Sequence, residues 1–171
     1  MPGDDMFPRA QYLATRAITV SAPPDEVWPW LVQVGYRRGG WYANDLLDNF
    51  ALPSAREVIP ELQDIHVGQR LAMVPRPSDR TAFVVDGFVA PEWLLWRTPN
   101  RTFAWHLVPL PGGRTRVVTR LATVYEWSRP LVLGTVVLME FGDYPMMRRM
   151  LRGIRRRAET RHRHMARGSH R

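Results

Sequence analysis

The chain has 171 residues, of which 45% are hydrophobic and 11% aromatic, and this composition argues against disorder and favours a single globular domain. The absence of cysteine excludes disulfides, thiolate metal sites and thiol catalysis, and is compatible with a cytoplasmic protein. The net charge of +8 is uneven, because ten arginines and a single acid, Glu159, lie between Arg148 and Arg171, whereas the rest of the chain is almost neutral.

The first predicted elements are a strand and a short helix. Residues 1–14 are predicted to be an N-terminal extension, and Met1–Arg9 has no apolar run of the kind found in secretory signals. Thr15–Ser21 is an alternating, β-branched stretch, which predicts a strand. Two prolines end this strand, and Asp25 and Glu26 then place negative charge in the first turn of a predicted helix, Pro24–Val34.

A glycine pair marks the next segment. Gly39 and Gly40 permit positive φ or a close backbone approach, and they precede Trp41 and Tyr42 at the start of a predicted second short helix. The apolar positions of that helix are Leu46, Leu47 and Phe50. One interpretation is a ligand-pocket rim made of the two aromatic residues and an arginine. The other is that the aromatic residues plug the open end of a sheet, while Asp45 pairs with an arginine.

Closely spaced strands separated by tight-turn signals follow, which predicts an antiparallel meander. The predicted strands lie within Gln63–Val74 and at Thr81–Val89, Trp93–Thr98, Thr102–Val108 and Thr115–Trp127. Because side chains alternate along a strand, we assign Phe103, Trp105 and Leu107 to the interior and His106 to the outer face. In the last strand the same alternation assigns the odd-numbered residues from Thr115 to Tyr125 to the interior.

The segment Leu131–Met139 is the most apolar stretch of the chain, but it meets Glu140 before it is long enough to span a bilayer. Three interpretations stay open. The segment is a flexible lid over a cavity, a shallow membrane contact assisted by the arginines downstream, or an ordinary buried segment.

The longest predicted helix is Tyr144–His164. Its apolar stripe consists of Met147, Leu151, Ile154 and Ala158, and arginines occupy the other side. Such a helix cannot bury its stripe alone, so the preceding sheet must supply a surface for it. The tail, residues 162–171, has no periodicity and is predicted to be disordered.

Four stretches of sequence are the most distinctive. They are I-T-V-S-A-P-P-D-E-V-W-P-W-L-V-Q-V-G at 18–35, R-G-G-W-Y at 38–42, I-P-E-L-Q-D-I-H-V-G at 59–68 and M-L-R-G-I-R-R-R-A-E at 150–159. With the order of elements, they make the chain from Thr15 to Arg161 resemble the SRPBCC or START-like superfamily, which includes polyketide cyclase/dehydratase-like and lipid-transfer proteins. The stretches look like a bacterial subfamily whose members mostly lack an assigned activity.

This resemblance implies an α+β helix-grip fold, in which a curved antiparallel sheet wraps around the long C-terminal helix and leaves a hydrophobic cavity between them. Tryptophans assigned to inward positions would give that cavity large apolar walls. The residues expected to line it are Trp30, Arg38, Trp41, Tyr42, Phe83, Trp96, Phe103, Trp105, Leu121, Tyr125, Met147 and Leu151. The fold itself does not imply one reaction.

The leading functional hypothesis is binding or transport of a hydrophobic small molecule, such as a lipid, polyketide or isoprenoid, because it needs only the pocket. A weaker hypothesis is a cyclase or dehydratase that uses acid–base residues in the same cavity. The catalytic candidates are Tyr42, Asp45 and Tyr125, and the further inward titratable candidates are Arg38, Glu57 and His66. No nucleophile elbow, phosphate loop or metal-ligand cluster is present in the sequence, so no metal or cofactor is expected.

A third hypothesis is an interaction module that binds RNA or anionic membrane through the arginine-rich C-terminal helix. The aromatic residues are not interleaved with the arginines, however, as a stacking platform for bases would require. The sequence therefore argues against nucleic acid as the partner of this surface. A peripheral membrane contact stays open, beside the simpler interpretation of a solvated helix face without a partner.

Overall fold

A six-stranded antiparallel sheet forms the body of the computed structural model, which describes residues 1–128 and 132–168. The strands are β1 (Tyr12–Val20), β2 (Arg70–Ala72), β3 (Ala82–Val89), β4 (Trp93–Thr98), β5 (Arg101–Leu110) and β6 (Arg114–Thr123). Their order across the sheet is β1-β6-β5-β4-β3-β2. The last strand therefore pairs with the first, and the four strands from β3 to β6 form the predicted meander.

Helices in the described residues lie before and after the strands of the meander. They are α1 (Pro24–Val32), α2 (Val132–Val137) and α3 (Asp143–Gly168). A π-helical turn, Leu138–Gly142, joins α2 directly to α3. Since α3 packs against the curved sheet, the predicted α+β helix-grip architecture is confirmed. None of these helices, within the described residues, has both the length and the apolar character needed to cross a membrane.

The segment predicted as a second short helix forms a series of turns instead. Two side chains compete here for the backbone donors, since Asn44 Oδ1 accepts from the amide of Leu46 and Asp48 Oδ2 from the amide of Asn44. Phe50 and Ala51 then adopt positive φ values of 52° and 62°, which end any helical course. The short helix that does form between α1 and β2 is a 3₁₀ turn, Pro60–Leu62.

The glycine pair in the R-G-G-W-Y stretch is required by close packing. Gly40 has a φ of 80°, and a Cβ atom there would overlap with the side chain of Ser54. A Cβ atom on Gly39 would meet the hydroxyl of Tyr42 and the side chain of Gln33. The predicted need for glycine is confirmed, and the tight turn directs Trp41 towards the sheet.

The predicted inner faces of the strands are confirmed. In β6, Thr115, Val117, Thr119, Leu121 and Thr123 are buried, and in β5 Phe103, Trp105 and Leu107 are buried. His106 is half-buried on the outer face, where its register partners are Trp93 and Val118. The strand expected within Gln63–Val74 is shorter than predicted, because only Arg70–Ala72 pairs with β3.

Helix α3 buries the predicted stripe of Met147, Leu151, Ile154 and Ala158 against the rest of the domain. It continues to Gly168, so the chain is helical past residue 162, where the sequence predicts a disordered tail. The Nδ1 atom of His162 lies 2.9 Å from Oε1 of Glu26, which links this part of α3 to α1. Residues 129–131, which include the first residue of the predicted apolar segment, and residues 169–171 lie outside the described residues.

Candidate ligand-binding cavity

A cavity of about 290 Å³ lies between the inner face of the sheet, the turn segment after α1 and the helical segment that begins α3. Its apolar wall consists of Trp41, Ala43, Leu47, Phe50, Met73, Val74, Phe83, Phe103, Leu121, Met139, Met146, Met147 and Met150. Three charged residues, Asp48, Arg101 and Asp143, complete the wall. The volume is close to the lower end of the range for ligand pockets, about 300 to 1,000 Å³.

Aromatic rings in tilted contact form the sheet side of the cavity. The ring of Phe83 lies 5.8 Å from that of Phe103 and 5.9 Å from that of Trp96, measured between centroids. Phe103 in turn lies 4.7 Å from Trp105. Trp96 and Trp105 are fully buried beneath the two phenylalanines, so this wall is rigid and well packed.

Methionines form the opposite wall. Met139 comes from the π-helical turn, and Met146, Met147 and Met150 come from the first turns of α3. Methionine is flexible and polarisable, so such a wall can adapt to ligands of different shape. The π-helical turn brings Met139 onto the same side as the α3 methionines, in keeping with the frequent use of such turns at functional sites.

The mouth of the cavity is apolar and open to solvent. Of the residues that line it, Leu47 is 74% exposed, Phe50 47% and Met146 38%. Leu46 beside Leu47, and Phe141 in the π-helical turn, are also strongly exposed. Apolar side chains therefore rim the opening on the side of the turn segment and on the side of the helix.

Arg101 is the charged residue that extends from the sheet into the wall. It is the first residue of β5. Because side chains alternate along a strand, it lies on the same inner face as Phe103 and Trp105. Its Nε atom is buried and has no hydrogen-bond partner. Burial lowers the pKa of Arg101, and the nearby Asp143 opposes that shift. A guanidinium group nevertheless stays charged at neutral pH.

Asp143 is the first residue of α3, and one oxygen of its buried carboxylate has two partners. Oδ2 accepts a hydrogen bond of 2.7 Å from the hydroxyl of Tyr12 and lies 2.6 Å from Nη2 of Arg16. Both partners belong to β1, so this cluster joins the start of α3 to the edge of the sheet. Burial is the main reason that the pKa of Tyr12 is raised, and the carboxylate of Asp143 adds to the effect.

Asp48 lies in the turn segment and is the third charged residue of the wall. Its Oδ2 atom accepts from the amide of Asn44 at 2.7 Å, whereas its Oδ1 atom is buried without a partner. Burial raises the pKa of this carboxyl, and the nearby Asp45 raises it further.

Some of the residues predicted to line a cavity meet in this wall. They are Trp41, Phe83, Phe103, Leu121 and Met147. The others lie elsewhere, for reasons of packing. Trp30, Trp96, Trp105 and Leu151 are core residues behind the wall. Arg38 turns away, because its Nη2 atom donates to the carbonyls of Val32 and Leu62.

The three catalytic candidates do not meet in the cavity. Tyr42 is buried in the core, with the guanidinium of Arg157 4.5 Å from its ring centroid, and burial raises its pKa to about 12. Asp45 accepts hydrogen bonds from the amide and hydroxyl of Ser54, and so holds the turn segment together. Tyr125 donates to Glu140. Of the further titratable candidates, Glu57 and His66 are exposed and do not point inward.

Sequence reasoning missed the polar residues that do line the cavity. Arg101 could have been found by beginning the predicted strand one residue earlier, since it then shares the alternation of Phe103 and Trp105. Asp143 has the pattern of a helix N-cap and gives no signal of burial. Asp48 lies in a segment that was predicted to be helical but forms turns, so the sequence did not predict that its side chain lines the cavity.

No protein-family model matches this sequence, and no curated protein matches it. Solved structures of similar fold do exist. CalC from Micromonospora echinospora, a self-sacrificing resistance protein, has a TM-score of 0.54 and 16% identity, and the match covers 87% of this chain and 95% of CalC. A protein from Thermobifida fusca has a TM-score of 0.52 and 13% identity, with 85% of this chain and 92% of that chain covered.

A third structure, protein CV1439 from Chromobacterium violaceum, has a TM-score of 0.51 and 13% identity, with 86% of this chain and 98% of that chain covered. At such identities the likeness concerns the fold and not the activity. The chain thus shares with these proteins its α+β fold, in which a curved antiparallel sheet packs against a long C-terminal helix, as the resemblance of its sequence implied.

Proposed function

We propose that the protein binds a hydrophobic small molecule in the cavity between the sheet and α3. The observation that carries this proposal is an apolar wall that its own side chains leave unfilled and that opens to solvent through an apolar rim. Water in such a space finds few hydrogen-bond partners, so an apolar ligand is the favoured occupant. Burial of about 200 Å² of apolar ligand surface contributes about 5 kcal/mol before the costs of association.

The walls favour lipid, polyketide or isoprenoid-like compounds as the ligand. Flat aromatic surfaces from Phe83, Phe103 and Trp41 suit a planar or branched apolar body. The methionine wall can adjust to chains of different shape. An acid–base reaction in this cavity has less support, because Tyr42 is buried outside it and both Asp45 and Tyr125 form hydrogen bonds elsewhere.

Binding can be tested with the neutral fluorescent probe N-phenyl-1-naphthylamine. We expect saturable binding with a blue shift of the emission, as the probe moves from water into an apolar pocket. Leu121→Trp, which adds bulk to the wall, should weaken binding at least tenfold. Val118→Trp is the matched control, because residue 118 lies on the opposite face of the same strand and should leave binding unchanged.

Two outcomes would contradict the proposal. One is the absence of saturable probe binding to the wild-type protein. The other is equal affinity of the wild-type and Leu121→Trp proteins, provided that circular dichroism shows both to be folded. If the probe binds as expected, native mass spectrometry of freshly purified protein can identify any ligand that co-purifies.

A second candidate function is contact of the cavity mouth with an anionic membrane surface. Exposed apolar residues of the cavity wall, among them Leu47 and Phe50 in the turn segment and Met146 in α3, lie on both sides of the opening. Exposed arginines follow at Arg148 and Arg149 on α3. Apolar side chains beside a basic surface are the combination that binds anionic interfaces.

Vesicle sedimentation can test this contact. Vesicles that contain phosphatidylglycerol should retain the protein, and vesicles of phosphatidylcholine alone should retain much less. Leu47→Ser should reduce binding severalfold, whereas Val67→Ser, which removes an exposed apolar side chain that does not line the cavity, should not. Equal loss in both variants, or no dependence on the anionic lipid, would argue against a membrane function.

A further inference from the structure

We infer that Arg101 binds a singly charged oxyanion of the ligand, so the ligand is an apolar compound with one carboxylate or enolate group. This inference rests on the proposed function, since it assigns a polar contact within the same cavity. It adds a chemical class that the apolar wall alone does not define.

The position of Arg101 is the first argument. Its register partners in the sheet are Thr98 and Thr123, and its side chain joins Phe103 and Leu121 in the cavity wall. The residues around it are mainly apolar, so the guanidinium group has lost much of its hydration. Burial of a charged group without a partner is costly, and native sites normally compensate for it.

The lack of a partner is the second argument. Within the described residues, the side chain of Arg101 forms neither a hydrogen bond nor an ion pair. Its Nε atom is inaccessible to solvent as well as unpaired. A guanidinium group offers five N–H donors in a planar fork, so this one can still take both oxygens of a carboxylate.

The local charge balance is the third argument. Asp143, which influences Arg101 electrostatically, is already held by Arg16 and Tyr12. Two guanidinium groups therefore share one carboxylate, and the cluster has an excess of positive charge. Tyr12 and Tyr125 do not balance this charge, because both phenols have a raised pKa and stay neutral at physiological pH.

The remaining acids do not serve as counter-ions to Arg101. The charged neighbours that affect Asp48 are Asp45 and Arg149, and Arg101 is not among them. Glu140 is exposed and accepts a hydrogen bond from the hydroxyl of Tyr125. Because Asp143 would repel a doubly charged group, the excess charge favours a monoanion over a phosphate monoester.

Competition between two matched ligands can test the inference. Decanoate and decanamide have the same chain and nearly the same head-group shape, but only decanoate is charged at pH 7.4. Displacement of N-phenyl-1-naphthylamine should require a roughly 10- to 100-fold lower concentration of decanoate than of decanamide, as expected for a hydrogen bond between charged groups.

Arg101→Gln should abolish this preference, so that decanoate and decanamide displace the probe from this variant at the same concentration. Arg116→Gln is the control, because it removes the same charge from the exposed outer face of β6 and should keep the preference. Arg101→Lys retains the charge without the planar fork and should keep part of the preference. If Arg101→Gln does not fold, Arg101→Lys replaces it in the test, and a reduced preference for decanoate is the expected result.

Failure of this inference and failure of the proposed function give different results. If the probe binds but decanoate and decanamide displace it equally, Arg101 does not select an anion, while the hydrophobic site stands. An unchanged preference in folded Arg101→Gln also overturns the inference. If the probe does not bind at all, both proposals are wrong.

Discussion

Gly153 in α3 lies directly against the backbone carbonyl oxygen of Tyr42. A Cβ atom at position 153 would overlap with this oxygen and with the Cβ atom of Tyr42. The close approach lets α3 pack onto the turn segment that carries Trp41. It thereby brings the methionines of α3 and the ring of Trp41 into the same cavity.

Gly153→Ala should lower the free energy of unfolding by about 1 to 3 kcal/mol, because the added methyl group forces the helix and the turn segment apart. This direction opposes the usual effect of alanine, which stabilises a helix interior by about 1 kcal/mol relative to glycine. Gly134→Ala in α2 is the control, since a Cβ atom there has no neighbour within 4 Å. Urea denaturation that finds Gly153→Ala as stable as the wild type would contradict the packing argument.

Asp143→Asn should destabilise the protein by about 3 to 5 kcal/mol, because it leaves the charge of Arg16 without its buried partner. Tyr12→Phe removes only a hydrogen bond to the same carboxylate and should cost about 1 kcal/mol. The control is Asp79→Asn, which breaks an exposed pair with Arg70 and should change stability by less than about 0.5 kcal/mol. Equal effects of Asp143→Asn and Asp79→Asn in thermal unfolding would refute the role assigned to Asp143.

Asp48→Asn should stabilise the protein at pH 7 and have little effect near pH 3. Burial raises the pKa of Asp48 above its ordinary value of 3.8, so ionisation of this carboxyl disfavours the folded state. The penalty is nearly absent at low pH, where the carboxyl is mostly protonated in both states, and it grows as pH rises from the ordinary pKa of 3.8 to the raised pKa, above which it is fully present. Urea denaturation at the two pH values measures the difference. If the gain in stability did not depend on pH, ionisation of Asp48 would not be its cause.

Tyr42 and Tyr125 should ionise late in an alkaline titration followed by absorbance at 295 nm. Burial raises the pKa of both phenols to about 12, and Glu140 adds to the effect at Tyr125. Because the folded-state pKa lies above the ordinary value of 10, the free energy of unfolding should fall as pH rises from 10 to 12. Tyr125→Phe should remove one late transition and weaken this fall. A single transition near pH 10 for all tyrosines would contradict the prediction.

Periodicity along the chain was sufficient to predict most of the fold. The alternation in β5 and β6 assigned Phe103 and Leu121 to the inner face, and the spacing of Met147 and Ile154 identified the buried side of α3. These features depend on which side of a strand or helix a residue occupies, and the backbone repeat determines that side locally. The bounds of β4, Trp93–Thr98, are the same in the prediction and in the structure.

Only the tertiary structure decided which inward residues border a cavity and which fill the core behind it. Phe83 and Trp96 are both directed inward, yet Phe83 lines the cavity and Trp96 lies beneath it, because packing depth depends on all the elements at once. The same holds for the charged residues. Tyr12 and Asp143 are 131 positions apart and are joined by a hydrogen bond. Asp143 therefore has a partner, whereas the Nε atom of Arg101 has none, because of contacts that only the folded chain makes.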